Sequence, residues 1–265
     1  MENKYWNYLQ LVKQQSPLVH NITNFVVMNN TANALLAIGA SPVMAHATTE
    51  VGEFVTISKS LVINIGTADE YWAAAMFMAA DAANETATPW VLDPVGAGAT
   101  SFRDEILQAL LERKPTVIRG NASEIIALAK QNTTATRGVD STDSTNSAID
   151  AAQYLHQTYG SVVCVSGETD IVVDGEEITY LQNGHIMMTK VTGLGCTASA
   201  LIGAFIGVTE NTKDAVIAAM SLIGIAGELA VKQSVGPGSL QLNLIDQLYN
   251  ITADQFNSHM KISKG

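Results

Sequence analysis

At 265 residues, with 47% hydrophobic and 15% charged side chains, the chain suits one large α/β domain or two small ones and is no disordered polymer. A formal net charge of -11 argues against a nucleic-acid or anionic-membrane partner, since both want a basic face, so any phosphate must be held locally. Two cysteines and five scattered histidines show neither disulfide nor metal-ligand spacing, which suggests a reducing, cytoplasmic compartment.

In chain order, residues 1–20 carry charged and polar side chains throughout and do not read as a signal peptide. Residues 3–15 have the spacing of an amphipathic helix, an extended segment follows at Val19 to Ile22, and a helix from Val27 to Ile38 closes on Gly39. Pro42 to Ala45 reads as a strand and Glu50 to Ser60 as a helix. Leu61-Val62-Ile63-Asn64-Ile65-Gly66 is an apolar run too short for a helix, hence a central strand. An Ala-rich helix spans Ala68 to Ala83; then come strands at Trp90 to Val95, Thr116 to Gly120 and Ser161 to Gly167, with helix between the first two. Apolar strands without alternation are covered on both faces, so they predict a largely parallel sheet between helix layers, with no obvious linker.

The texture then changes. Ile171 to Val173 and Glu176 to Tyr180 flank Asp174-Gly175, a two-residue hairpin turn. Asn183-Gly184 is a second turn, and His185 to Val191 leads into Gly193-Leu194-Gly195-Cys196. Glycines before an apolar helix, here Thr197 to Val208, let a ligand approach backbone N–H groups at the positive end of the helix, a place for an anion. There the dipole favours a Cys196 thiolate, although Cys196 also reads as a small hydrophobe behind a turn. Lys213 to Lys232 is another helix, and its apolar run Ala215 to Gly227 is too short to span a bilayer. Gly236-Pro237-Gly238-Ser239 starts the last helix, with Ser239 as a cap. The polar stretch 131–147 reads as a solvated surface loop or a mobile loop beside a site.

Parallel sheets put ligands at the C-terminal ends of their strands. There the sequence offers Asn64, Asp93, the run Arg119-Gly120-Asn121-Ala122-Ser123-Glu124, and Ser166-Gly167. Asp93 and Glu124 are hard oxygen donors and Arg119 is a bidentate phosphate donor, the parts a magnesium-nucleotide site needs. Taken alone, Glu124 is equally a first-turn acid stabilised by its helix dipole. No Gly-Lys-Ser/Thr occurs in Gly96-Ala97-Gly98-Ala99-Thr100 or in the Gly193 turn, which excludes a Walker loop. The Gly193-x-Gly195-x-x-Ala198 match to a dinucleotide fingerprint lacks the strand-end acid about twenty residues on.

Gly193-Leu194-Gly195-Cys196 before a buried helix, Asp93-Pro94-Val95-Gly96-Ala97-Gly98 after a strand, Asn121-x-x-Glu124, and the early Val19-His20-Asn21-Ile22-Thr23-Asn24 together resemble the hydroxyethylthiazole kinase family of thiamine salvage. The resemblance runs over nearly the whole chain. It implies a three-layer, ribokinase-like α/β fold as a single domain over 1–265, and transfer of the ATP γ-phosphoryl group to the primary alcohol of methyl-hydroxyethyl-thiazole. Related sugar and vitamin kinases usually carry an aspartate where this sequence has Cys196. By position the resemblance implies that Met44 and Gly193 meet the substrate, with Asn24 beside them unless it caps the following helix. It places Arg119, Ser166, Gly195 and Asn121 at the nucleotide, Asp93 and Glu124 at the phosphates and Mg²⁺, and Cys196 at the position of the catalytic base. It also implies a homotrimer with the thiazole pocket between neighbouring subunits, which would let Met44 serve an adjacent chain's site.

Phosphoryl transfer through a loose transition state needs positioning more than a strong base, so Cys196 need not be one. Kinases of the same fold acting on hydroxymethylpyrimidine or pyridoxal would share this phosphate edge. A cysteine hydrolase would need a histidine beside Cys196, and none of His20, His46, His156, His185 or His259 is placed there by sequence. A non-catalytic nucleotide-binding protein is the third reading.

Overall fold

The computed structural model describes residues 3–131 and 144–265. Among these, the strands β1 (Leu18–Ile22), β2 (Ser41–Val43), β3 (Ser60–Asn64), β4 (Trp90–Asp93), β5 (Val117–Asn121), β6 (Val162–Ser166), β7 (Asp170–Asp174), β8 (Glu177–Leu181) and β9 (Ile262–Lys264) form one sheet, ordered β2-β1-β3-β4-β5-β6-β7-β8-β9. The first six pair in parallel and the last three are antiparallel.

Side-chain alternation explains why these strands read as unbroken apolar runs. Val62, Val91, Val117 and Cys164 feed one core, whereas Leu61, Ile63, Leu92, Ile118 and Val163 feed the other. Strands β3 to β6 are therefore buried on both faces, whereas the edge strand β9 is exposed. The first core is closed by α1 (Lys4–Gln15), α2 (Met28–Ala37), α8 (Leu194–Ile206), α9 (Thr212–Val231), α10 (Pro237–Asn250) and α11 (Ala253–His259). The second is closed by α3 (Val51–Ile57), α4 (Glu70–Thr86), α5 (Ser101–Leu111), α6 (Ala122–Gln131) and α7 (Ser144–Tyr159).

Helix α8 lies at the centre of the first layer. Leu201, Ile202, Ala204 and Phe205 are buried around its circumference, and Gly203 lets it sit on the sheet, since a Cβ there would come within 2.5 Å of Val62 Cγ2. Truncating Phe205 to Ala would cost about 3–5 kcal/mol by the usual cavity penalty. Helix α9 is long and apolar enough to cross a membrane, more so than the run Ala215 to Gly227 suggested. Yet 89% of its apolar window is buried inside the fold, as in a core helix.

Several boundaries differ from the sequence reading, each for a local reason. The hairpin turn is Gly175-Glu176, one residue later than expected, because Asp174 pairs with Glu177 and it is Gly175 that takes the positive φ of 65°. Of the polar stretch 131–147, residues 132–143 lie outside the described residues, and Ser144 onward is already helix α7. Ser239 does not cap α10 from the N-cap position. Gly236 occupies that position, Pro237 follows, and the Ser239 Oγ accepts from the Val235 and Gly236 N–H groups. Nor is α10 the last element: α11, with its Thr252/Gln255 capping box, and the edge strand β9 follow.

Candidate active site

The order β2-β1-β3 reverses the direction of winding at β1, and the crevice at the C-terminal ends of β1, β3 and β4 is where such a sheet places a ligand. Helix α8 aims its N-terminus into this crevice. It starts three residues earlier than expected, at Leu194, because only the N-cap Gly193 leaves helical geometry, with φ of 78°, whereas Gly195 and Cys196 form the first turn. A Cβ on Gly193 would collide with Val27, and one on Gly195 would come within 2.6 Å of Arg119 Nη1. Gly193 makes no side-chain cap, and the first bond of the helix is Thr197 N–H to Gly193 C=O. Among the described residues no acceptor meets the N–H groups of Leu194, Gly195 or Cys196. A buried helix with three open N–H groups at its mouth is an anion seat.

A cavity of about 250 Å³ opens over that seat, lined by Asp93, Val95, Arg119, Asn121, Glu124, Ser166, Gly193, Gly195 and Cys196. The structure thus gathers eight of the ten residues to which the family resemblance assigns a place in the site. Asn24 is one step behind. Its Nδ2 donates to Asn64 Oδ1 at 2.9 Å and to Cys196 Sγ at 3.4 Å. It does not cap α2, whose N-cap is Val27 with no side-chain bond. Met44 is not brought to this cavity. It follows β2 at the edge of the parallel strands, in the segment whose Ala45 carbonyl meets His20 Nε2.

Asp93 is 1% exposed and accepts at Oδ2 from Asn64 Nδ2 at 2.7 Å and from Ser199 Oγ at 2.8 Å. Burial pushes its carboxyl up to about 6, against the pull of Arg119 and those two donors. Ser199 was missed by sequence reasoning, because a hydroxyl in an otherwise apolar helix looks like packing; its position one turn after Cys196 was the available signal. Glu124 serves as the first-turn acid anticipated as one of its two readings. Its Oε2 accepts from Asn121 N–H and its Oε1 from Gly96 N–H, while Asn121 Oδ1 caps Glu124 N–H in return. Each oxygen keeps further acceptor capacity, and Glu124 lines the cavity.

Arg119 donates from Nη2 to Ser166 Oγ at 2.7 Å, while its buried Nε has no acceptor and no carboxylate is paired with it among the described residues. A guanidinium left short of acceptors beside a cavity fits phosphate oxygens. A second cavity of about 520 Å³ shares Ser166 and runs past Gly167, Thr169, Ile171, Tyr180 and Gln182.

Cys196 behaves otherwise than the helix dipole alone suggested. Burial, then the nearby Asp93 carboxylate, push its thiol up to about 11. It is a thiol near neutrality, and among the described residues the side chain that hydrogen-bonds it is Asn24 rather than a histidine, which removes the basis for a cysteine hydrolase.

Fold and site together define a ribokinase-like small-molecule kinase: a mostly parallel sheet whose strand ends meet an uncapped helix N-terminus, an unpaired arginine and two carboxylates. More narrowly, the chain belongs to the hydroxyethylthiazole kinase family, whose family model matches residues 9–254. It is 52% identical over 261 residues to the hydroxyethylthiazole kinase of Syntrophus aciditrophicus (strain SB), covering 98% of this chain and 97% of that one. The solved hydroxyethylthiazole kinase protein from Pyrococcus horikoshii OT3 superposes with a TM-score of 0.92 at 41% identity, with 98% of each chain covered. The pyridoxal kinase from Staphylococcus aureus in complex with AMP-PCP and pyridoxal shares the fold alone, with a TM-score of 0.65 at 14% identity over 94% of this chain and 98% of that one.

Proposed function

We propose that this chain transfers the γ-phosphoryl group of ATP to the primary alcohol of 4-methyl-5-(2-hydroxyethyl)thiazole, giving the thiazole phosphate and ADP in thiamine biosynthesis or salvage. The observation that carries this reading is the open N-terminus of α8 facing Arg119 and Asp93 across one small cavity. Family membership supplies the substrate class.

In this reading the N–H groups of Leu194, Gly195 and Cys196 bind the transferring phosphoryl oxygens and the helix dipole stabilises their charge. Arg119, supported by Ser166, binds the nucleotide phosphates, with Asn121 and Gly195 beside it. The nucleoside extends past Ser166 into the larger cavity. Gly193, Asn24 and Met44 meet the thiazole alcohol, and Cys196 occupies the catalytic position next to the hydroxyl. A thiol titrating near 11 is a weak base at neutral pH, so its work is to position the alcohol, and the proton leaves late, as a loose transition state permits.

The donor set suits Mg²⁺ carried in with the nucleotide. Among the described residues no group of three metal-binding side chains occurs, and two carboxylates completed by phosphate and water oxygens are what this ion commonly takes. Asp93 and Glu124 would hold it, and it would neutralise charge on the phosphates. The reading includes a single kinase domain over 1–265, a cytoplasmic homotrimer with the thiazole pocket at subunit interfaces, and Met44 serving a neighbouring chain's site.

The test is ADP release with Mg-ATP, comparing hydroxyethylthiazole, hydroxymethylpyrimidine, pyridoxal and ribose, with the product phosphate confirmed by mass. Turnover on the thiazole alcohol is expected. Turnover only on another alcohol would retain the phosphate edge and reject the substrate, and binding of ATP with no ADP release would mean a nucleotide-binding protein.

A further inference from the structure

Arg103 stands third in α5, in the first turn, where a cation opposes the helix dipole. Its side chain forms no ion pair among the described residues. Instead its fork is spent on backbone carbonyls: Nη1 donates to Ile65 at 2.9 Å and Val95 at 2.8 Å, and Nη2 donates to Gly66 at 2.8 Å. The aliphatic end of the side chain and the guanidinium lie against Gly96, where a Cβ would be 3.4 Å from both Cδ and Nε.

These acceptors belong to two different loops. Ile65 and Gly66 follow β3, and Val95 follows β4, just beyond the point where the two strands make their last mutual bond, Ile65 N–H to Asp93 C=O at 3.4 Å. Past that point nothing in the ladder fixes the gap between them. The β3 loop carries the alcohol side of the site: Gly66 N–H donates to Asn64 Oδ1, and Asn24, which touches Cys196, packs on Gly66 so tightly that a Cβ there would come within 2.9 Å. The β4 loop carries the phosphate side, with Val95 in the cavity wall and Gly96 N–H on Glu124.

We propose that Arg103 is a positioning residue that clamps these two loops and so sets the spacing between the Asn24–Cys196 side and the Asp93–Glu124 side of the site. A planar fork reaching three carbonyls can do this; a lysine ammonium reaches fewer in fixed geometry. The clamp acts when both sides must be held at reacting distance, so its loss lowers kcat more than it raises either KM. That kinetic readout rests on the kinase reading above, whereas amide exchange of the loops does not.

The experiment compares wild type with Arg103→Met and Arg103→Lys by steady-state kinetics, active-site titration and amide hydrogen exchange. We expect Arg103→Met to lose about tenfold or more in kcat with KM for ATP and for the alcohol changed by less than about threefold. Exchange should quicken in both 64–68 and 94–98, and Arg103→Lys should recover part of each effect. Unchanged kcat, a loss that only follows the fraction of active sites, or exchange unchanged in both loops would overturn the proposal. Should wild type fail to phosphorylate the thiazole alcohol, the kinase reading falls, and the exchange data alone decide: quickening in both loops upholds the clamp, and quickening in neither rejects it. If Arg103→Met does not fold, Arg103→Lys decides by the same criteria.

Discussion

Two glycine turns in this chain look alike as sequence and behave as opposites as structure. Gly96-Ala97-Gly98 precedes α5 and Gly193-Leu194-Gly195 opens α8, with positive φ at Gly96 and Gly98, 75° and 80°, in the first and at Gly193, 78°, in the second. The first turn spends its amides within the protein. Gly96 N–H goes to Glu124, Gly98 N–H to Asp104, and the helix that follows is capped by Thr100. The second leaves its amides open, has no side-chain cap, and starts a helix with no exposed flank. The same residue type thus builds a structural loop where acceptors are supplied and an anion seat where they are withheld.

The largest effect should come from adding one methyl group to each turn. Gly193→Ala forces a side chain into Val27 at positive φ, displaces the open amides, and should cut kcat by about 10²–10³, the usual cost of losing an oxyanion-type donor. Gly98→Ala, also at positive φ and 2.9 Å from Ala127 Cβ, should lower the melting temperature and leave kcat of the folded enzyme within about twofold. Equal kinetic losses would erase the distinction.

Next in size is Asp93→Asn, with turnover down by about a hundredfold if a hard anionic ligand is required. Stability should move the other way. Asp93 titrates at about 6 in the fold against 3.8 unfolded, so the folded state binds this proton more tightly. Its stabilisation is complete below about pH 4 and lost as pH rises through 6. Removing the ionisation should therefore stabilise the protein at neutral pH by on the order of 3 kcal/mol, read from denaturant unfolding across pH. Activity of wild type should fall as pH drops through about 6, where the carboxylate protonates.

Ser199→Ala removes one donor to that carboxylate and should move the acid limb of the pH profile upward by about half to one pH unit. The smallest effect is expected for Cys196→Ser. Since the thiol stays protonated until about 11, this change should cost less than about tenfold and leave the pH profile below 9 unmoved. A large loss with a displaced alkaline limb would instead make the thiolate the base.

Much of this contrast could be read in the sequence, and the exceptions are instructive. Strands such as Leu61 to Asn64 were legible because burial on both faces leaves an unbroken apolar run with a polar residue at its end. Asn64, Asp93, Arg119 and Ser166 were found by that rule alone. Which glycine turn keeps its amides open could not be found so, because it depends on acceptors from distant segments: Glu124 lies 28 residues from Gly96. Cys196 stays a thiol despite its place at a helix N-terminus because burial of the sulfur and the Asp93 carboxylate beside it outweigh the dipole, and neither can be read from local sequence. Short α11 and the exposed strand β9 escaped periodicity, although Thr252-x-x-Gln255 announced the helix. Met44 came from resemblance, and within one chain it stays apart from the cavity.

The most direct test of the account is the amide spectrum of the ¹⁵N-labelled protein, recorded before and after adding a non-hydrolysable ATP analogue with Mg²⁺ and the thiazole alcohol. Large shifts of the Leu194, Gly195 and Cys196 amides are expected, as open N–H groups take up phosphate oxygens, with Gly96 and Gly98 moving little. Large shifts at Gly96 and Gly98 with none at the start of α8 would put the phosphate on the other turn and contradict it.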